Sequence, residues 1–376
     1  MKFIRIIPVS LLLFVAYPAC AATLPGIPEF IDEMVAKHKF RRAELERVFD
    51  RAQDLPNVIE TISRPATLKP WLEYRAAFVN PERISLGLKF WKKYWKTLQN
   101  AERRYGVPQE IILAVIGVET IYGQDAGTFR TIDALTTLAF DYPRRADFFR
   151  SELENYLLLA REQQFNLLAV RGSYAGALGI PQFMPSSYRT YGVDFNGNHR
   201  IDLLHETGDA IGSVASYLKG YGWVGGVPDK AKHAHEAETG PPIAVRAQVS
   251  ETMCAGNVST PRTVAAWAMA GIVPSASLAH ADDQMARLVD FTVADGGKEF
   301  WLVFNNFDVI TRYNNSDFYA MSVFQLAEAL KEARKASIAK RSSAATKPGA
   351  TIKSGAATKS GTTIQPSPVV KPAVTS

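Results

Sequence analysis

The chain has 376 residues, 47% apolar and 21% charged, ordinary values for a globular protein of one large domain or two to three smaller ones. Its formal charge of +6 resides in residues 336–376, where Lys340, Arg341, Lys347, Lys353, Lys359 and Lys371 meet no acidic residue. The remaining body balances to zero, which argues against a nucleic-acid-binding protein.

The first residues read as an export signal, 1–21. Lys2 and Arg5 precede an apolar run over 6–17 that is short for a bilayer span, and small residues follow at Ala19, Cys20, Ala21 and Ala22. Cys20 raises the alternative of a lipid anchor, although Tyr17-Pro18-Ala19 fits a lipoprotein signal poorly. After cleavage beyond Cys20, Cys254 alone would remain, so no internal disulfide is expected.

Apolar residues at three- and four-residue spacing predict helix over 25–53 in two successive segments, PEFIDEMVAKHKF and then RRAELERVFDRAQ, and 56–70 is looser. Asn80-Pro81-Glu82 opens a helix reaching Tyr105. The stretch 108–123, PQEIILAVIGVETIYG, is apolar on nearly every side, with Pro108 at its start and Gly123 where a stop is expected. Glu119 is the only acidic or basic residue between Glu110 and Asp125. Buried there, its carboxyl would lose hydration and hold a proton near neutrality, as a general acid must. A side chain pointing outward from the helix end is an equal alternative.

Further helices are predicted over 131–140, 145–164, 209–221 and 316–335. The pattern changes after Gly225-Gly226: 242–249, 291–293 and 299–304 alternate as strands among Gly-, Pro- and Ser-rich turns, giving a β-rich insertion over 240–297. The stretch from Ala336 onward has a composition that predicts disorder.

Four other stretches carry chemical groups. RGSYAGALGIPQFMPSSYRTY (171–191) mixes glycines, amide and hydroxyl groups and apolar faces, a combination suited to sugars, or simply a turning Gly-rich loop. Arg144 and Arg145 beside Pro143 offer paired guanidiniums for carboxylates, or a solvated pair at a helix start. DFNGNHRID (194–202) places oxygen groups at alternate positions like a Ca²⁺ loop, but His199 stands where Gly is expected and His205 where a bidentate acid is expected; an Asx-built turn fits almost as well. Tyr313-Asn314-Asn315-Ser316 reads as a loop and helix cap.

Together these stretches resemble the membrane-bound lytic murein transglycosylase B family. The likeness rests on GVETIYG (117–123), FDYPRRADFF (140–149), GSYAGALGIPQFMPSSY (172–188), DFNGNHRIDL with GDAIGSVASYLKGYGW (194–223) and TRYNNSDFYAMSV (311–323), in one order over 26–335. It implies a mainly α fold: a lysozyme-like helical catalytic core (106–235) with an EF-hand-like loop at 194–209. A helical flanking domain (25–105), the β-rich insertion and a return to the core at 298–335 complete it. By resemblance Glu119 is the single catalytic acid/base. Arg144, Arg145, Ser173, Gln182, Met184, Tyr217, Tyr313 and Asn314 contact the glycan. Asp194, Asn196, Asn198, the Arg200 carbonyl and Asp209 form a candidate structural Ca²⁺ site, and catalysis requires no cofactor.

The implied reaction is cleavage between N-acetylmuramic acid and N-acetylglucosamine in the periplasm, leaving a 1,6-anhydro end. One carboxyl suffices because the nucleophile belongs to the substrate, whereas ordinary glycoside hydrolysis uses two. The implied partners are peptidoglycan strands and other cell-wall enzymes, with no nucleic acid, and the chain is expected to be a monomer. A hydrolytic muramidase on the same fold and a non-catalytic peptidoglycan-binding scaffold are the competing readings.

Overall fold

The computed structural model describes residues 24–64, 69–225, 241–250, 260–278 and 282–345. The expected export signal, Cys20, Cys254 and the tail beyond Ala345 lie outside them. The described residues are mainly α, as expected, with a two-stranded antiparallel ribbon and a five-stranded antiparallel sheet.

The two helical segments expected over 25–53 are α1 (Ile27–His38) and α2 (Arg42–Phe49), separated where Lys39 turns left-handed at φ 59°. The stretch read as loose opens with α3 (Pro56–Ser63), started by Pro56, and α4 (Trp71–Phe78) follows, burying Trp71, Tyr74 and Phe78. The long α5 (Pro81–Tyr105) begins on an Asn80 side chain that accepts the Arg83 N–H at 2.9 Å and ends at left-handed Gly106. It kinks at Tyr94, whose φ/ψ of −111°/22° leaves the helical region. The apolar α6 (Gln109–Thr120) is buried at every position from Ile111 to Thr120.

A two-stranded ribbon joins β1 (Phe129–Arg130) to β2 (Arg171–Gly172), with α7 (Thr131–Phe140) and α8 (Ala146–Gln163) between them. Then come α9 (Pro185–Tyr191) and α10 (Thr207–Gly220). The β-rich region holds β3 (Ala244–Val249), β4 (Arg262–Thr263), α11 (Val264–Met269), β5 (Ile272–Pro274), β6 (Met285–Thr292) and β7 (Lys298–Val303) in the order β4-β6-β7-β3-β5. The sheet thus runs past Gly297: β7 is its middle strand, pairing with β3 and β6. The chain closes with α12 (Asn305–Thr311) and α13 (Asp317–Ala345).

One hydrophobic core runs from Ile27 on α1 to Leu330 on α13, and a second, smaller core under the sheet is built on Trp267, Leu288, Leu302 and Phe304. Trp71 fastens α4 to the sheet within the first core: its ring lies 4.5 Å from Phe291 of β6, and its Nε1 donates to Glu299 of β7 at 2.9 Å. Arg287 of β6 ties the sheet to the last helices, donating to both oxygens of Asp317 and to Asp308 at 2.8–2.9 Å. The expectation of disorder from Ala336 onward is corrected, since α13 continues through Ala345. Ala, Lys and Arg are strong helix formers, and the helix is anchored by buried Leu326, Ala327 and Leu330.

Candidate active site

The C-terminal end of α6 is held in an unusual conformation. The helix stops at Thr120, and Ile121, Tyr122 and Gly123 all take left-handed φ (50°, 62° and 88°), so the stop comes two residues before the expected glycine. A β-branched residue at positive φ is costly and persists only where its surroundings impose it. Here the Thr120 hydroxyl donates to the Ile180 carbonyl at 2.8 Å and accepts the Gly123 N–H at 3.0 Å. The Tyr122 ring fills a slot against Gly87 and Gly117; a Cβ on Gly117 would lie 2.7 Å from its Cζ. Buried Arg83 donates to the Gly117 carbonyl and, at 3.2 Å, to that of Ala77.

This arrangement turns Glu119 inward, leaving it 8% exposed. The buried alternative is therefore the one observed. The Tyr319 hydroxyl of α13 donates to Glu119 Oε1 at 2.6 Å. Burial deprives the anion of water, whereas this donor favours it, so the two influences on the carboxyl oppose each other.

An aromatic path leads outward from this pair. The Tyr313 ring stacks on Tyr319 at 6.4 Å and 15°, and its hydroxyl donates to the Pro181 carbonyl at 2.6 Å. Tyr217 lies 4.8 Å from Tyr313 and 5.3 Å from Phe183, and Tyr221, 4.7 Å from Tyr217, is 41% exposed. Burial, with the negative charge of Glu119 adding to it, raises the hydroxyl pKa of Tyr74, Tyr217, Tyr313 and Tyr319. All four remain neutral donors around the acid.

The segment 172–183 folds back beside the end of α6. Leu178 bridges both Gly172 and Phe183, and Gly127 approaches the Gly172–Ser173 backbone too closely for any Cβ. Ser173 is buried, and its Oγ accepts the N–H groups of Ala175 and Ala177 at 3.2 and 3.0 Å. With both acceptor sites filled, that hydroxyl has its proton left to offer. Gln182, itself left-handed at φ 54°, donates from Nε2 to the carbonyls of Ala126 and Gly179, which leaves Oε1 as its acceptor. Met184 is half-buried against the same core.

The remaining expected contacts are spread more widely. Asn314 is buried in the turn before α13. Arg144 and Arg145 share a 3₁₀ turn between α7 and α8. Arg144 is exposed, whereas the Arg145 guanidinium lies 4.3 Å from the Phe148 ring, and burial lowers its pKa. The structure thus gathers Tyr217, Tyr313 and the 172–184 segment near Glu119 and puts the arginine pair on a separate turn. Tyr319 and Tyr74 were missed in the sequence because nothing distinguishes them there from core aromatics.

The other buried carboxyls have their own partners. Asp133 pairs with Arg130 at 2.6 Å, Glu152 accepts the Ser186 N–H and hydroxyl at 2.9 and 2.6 Å, and Asp202 and Asp209 take backbone N–H groups around 194–209. In that loop Asp194 accepts the N–H groups of Gly197, Asn198 and His199, Asn196 accepts Asn198, and Asn198 accepts Arg200. His199 is left-handed at φ 68°, the conformation for which Gly is expected. Among the described residues no cluster of three or more His, Cys, Asp or Glu side chains is arranged to hold a metal ion. An oxygen-only set is still present: Asp194 Oδ2, Asn196 Oδ1, Asn198 Oδ1 and Asp209 Oδ2 each accept one backbone N–H and retain an acceptor site. The donors therefore fit a hard cation such as Ca²⁺.

The chain matches the family model described as "Transglycosylase SLT domain" over residues 24–328. It is 41% identical over 323 residues to membrane-bound lytic murein transglycosylase B of Escherichia coli (strain K12), covering 83% of this chain and 84% of that one. The fold is similar to that of the Escherichia coli lytic transglycosylase Slt35 in complex with calcium, with 40% identity and a TM-score of 0.73 over 83% of this chain and 95% of that one. It is also similar to Pseudomonas aeruginosa SltB3 in complex with NAG-NAM-pentapeptide, with 26% identity and a TM-score of 0.70 over 81% of this chain and 78% of that one. The helical core around Glu119 is thus lysozyme-like, and the chain belongs to the transglycosylase SLT domain family as a lytic transglycosylase.

Proposed function

We propose that this enzyme cleaves the β-1,4 bond between N-acetylmuramic acid and N-acetylglucosamine of peptidoglycan, with Glu119 acting first as acid and then as base. The observation that carries the reading is a buried Glu119 held by Tyr319 among further buried tyrosines, while the buried carboxyls of Asp133, Glu152, Asp202 and Asp209 are engaged by partners of their own. The P. aeruginosa relative with a bound NAG-NAM-pentapeptide supports the substrate class.

Protonated Glu119 donates to the glycosidic oxygen as the bond to C1 breaks. The muramic acid acetamide oxygen closes on C1 to give an oxazolinium. Ionised Glu119 then takes the proton of the C6 hydroxyl, whose oxygen attacks C1 and displaces the acetamide, leaving a 1,6-anhydro end. The Ser173 hydroxyl proton and Gln182 Oε1 suit acceptors and donors on the sugar. The aromatic faces of Tyr217 and Tyr313 and the Met184 side chain suit its apolar faces. Asn314, Arg144 and Arg145 extend the binding surface, the arginines toward peptide carboxylates.

Asp194, Asn196, Asn198, the Arg200 carbonyl and Asp209 would hold a structural Ca²⁺ ion, which would brace the start of α10 without taking part in the reaction. Action in the periplasm is supported by the proposed substrate and by the expected export signal. No described helix is long and apolar enough to cross a membrane.

The test is Glu119→Gln. The variant should bind sacculi and release no soluble muropeptide; undiminished release would remove the mechanism.

A further inference from the structure

The solvent face of α5 carries a stripe of cations that the reaction does not use. Lys89, Lys92 and Lys93, at i, i+3 and i+4, share one helix face before the kink at Tyr94, Lys96 follows the kink, and all four are exposed. Arg103, farther along α5, is exposed as well. From Arg83 to Ala101 the helix has no acidic residue, and no described carboxylate pairs with any of the four lysines. The opposite face is fixed in the core by Phe90, Trp91, Leu98 and Ala101, so the stripe cannot rotate inward.

Two further features mark this face. Residues 1–335 sum to zero charge, so a local excess of this size is an asymmetry of the body, unrelated to the charge of the tail. Trp95 flanks the stripe at 45% exposure, with Lys96 Nζ 5.7 Å from its ring. An exposed indole beside lysines is the pairing found at membrane–water interfaces, where the ring sits at headgroup depth and the ammonium groups meet phosphates. A helix face is convex and offers no groove to enclose a polymer strand, which favours a planar anionic surface.

We propose that the Lys89–Lys92–Lys93–Lys96 face of α5, with Trp95, docks the enzyme on an anionic phospholipid surface. The docking is independent of which glycosidic bond is cut. It holds the folded body at the membrane whether or not the N-terminus carries a lipid.

The purified mature chain is sedimented with mixed phosphatidylglycerol/phosphatidylcholine vesicles and with pure phosphatidylcholine vesicles at low and high salt. Wild type should bind the anionic vesicles only, and less as salt rises. The full-length variant Lys89→Gln/Lys92→Gln/Lys93→Gln/Lys96→Gln should lose partitioning by on the order of a thousandfold, while cleaving soluble glycan at the wild-type rate. A companion variant with Lys347, Lys353, Lys359 and Lys371 changed to Gln should lose less. The blue shift of tryptophan emission on binding should shrink in Trp95→Phe. The proposal is overturned if wild type does not bind, or if the α5 variant partitions like wild type. It is also overturned if that variant instead loses binding to lipid-free sacculi, which would make wall polymer the occupant.

Discussion

Tyr319 and Glu119, 200 positions apart in sequence, are joined by a hydrogen bond of 2.6 Å from the tyrosine hydroxyl to the carboxylate Oε1. The bond links the last long helix to the end of α6 and fixes one oxygen of the acid. It also leaves that oxygen engaged as an acceptor, so the same contact that orients the carboxyl stabilises its ionised form.

Tyr319→Phe removes that donor and little volume. Turnover should fall on the order of tenfold through looser placement of the carboxyl, with substrate affinity nearly unchanged. Loss of a donor to the anion favours the protonated carboxyl, so the limb of the pH–rate profile that depends on Glu119 ionisation should move to higher pH. A profile that merely drops without moving would reduce Tyr319 to packing.

The slot for Tyr122 gives a test of the left-handed turn. In Gly117→Ala the new methyl would meet the Tyr122 ring at 2.7 Å, and overpacking of this kind costs about 1–3 kcal/mol. The variant should melt lower and lose turnover, because the residues displaced are those that end the Glu119 helix. The Tyr122 hydroxyl is buried with no hydrogen-bond partner among the described residues, so Tyr122→Phe alone should be neutral or stabilising by denaturant unfolding.

Much of this site can be read in the chain, and the limits have physical causes. The all-round apolar pattern of α6 marks Glu119 as anomalous, and the change in periodicity after Gly226 marks the sheet. Periodicity is local, however, so it cannot show that Tyr319 reaches back to Glu119, or that Trp71 of α4 meets Phe291 of β6 in the main core. The α4 helix was missed because Pro65 and Pro70 mask the start of an eight-residue segment whose stability comes from burying Trp71, Tyr74 and Phe78. Composition likewise misjudged the start of the tail, where a buried anchor upstream carries helix-forming residues through Ala345.

His199 tests the loop before α10. A non-glycine residue at φ 68° is strained, so His199→Gly should stabilise the protein by up to about 1 kcal/mol and tighten Ca²⁺ binding measured by calorimetry. Destabilisation would mean that the exposed imidazole has a role of its own.

Glu152 gives stability a dependence on pH. Burial raises its pKa above the ordinary 4.5, more than the Ser186 hydrogen bonds and the nearby Arg145 charge lower it. Between those two values the folded chain binds more protons at this site than the unfolded chain. The contribution of Glu152 is therefore fully present below the ordinary value and is lost as pH rises through the folded one. Glu152→Gln can keep both contacts with Ser186 and has no proton to lose. Its unfolding free energy should gain on that of wild type as pH rises through this window, and a constant difference between them would refute the assignment.

The mass of the products released from purified sacculi tests the single-acid reaction most directly. Intramolecular closure by the C6 hydroxyl gives muropeptides one water lighter than those with reducing ends. Products ending in 1,6-anhydro-N-acetylmuramic acid, absent in Glu119→Gln, are the expected result. Reducing ends from the wild-type enzyme would contradict it and show that water, not the substrate, supplies the nucleophile.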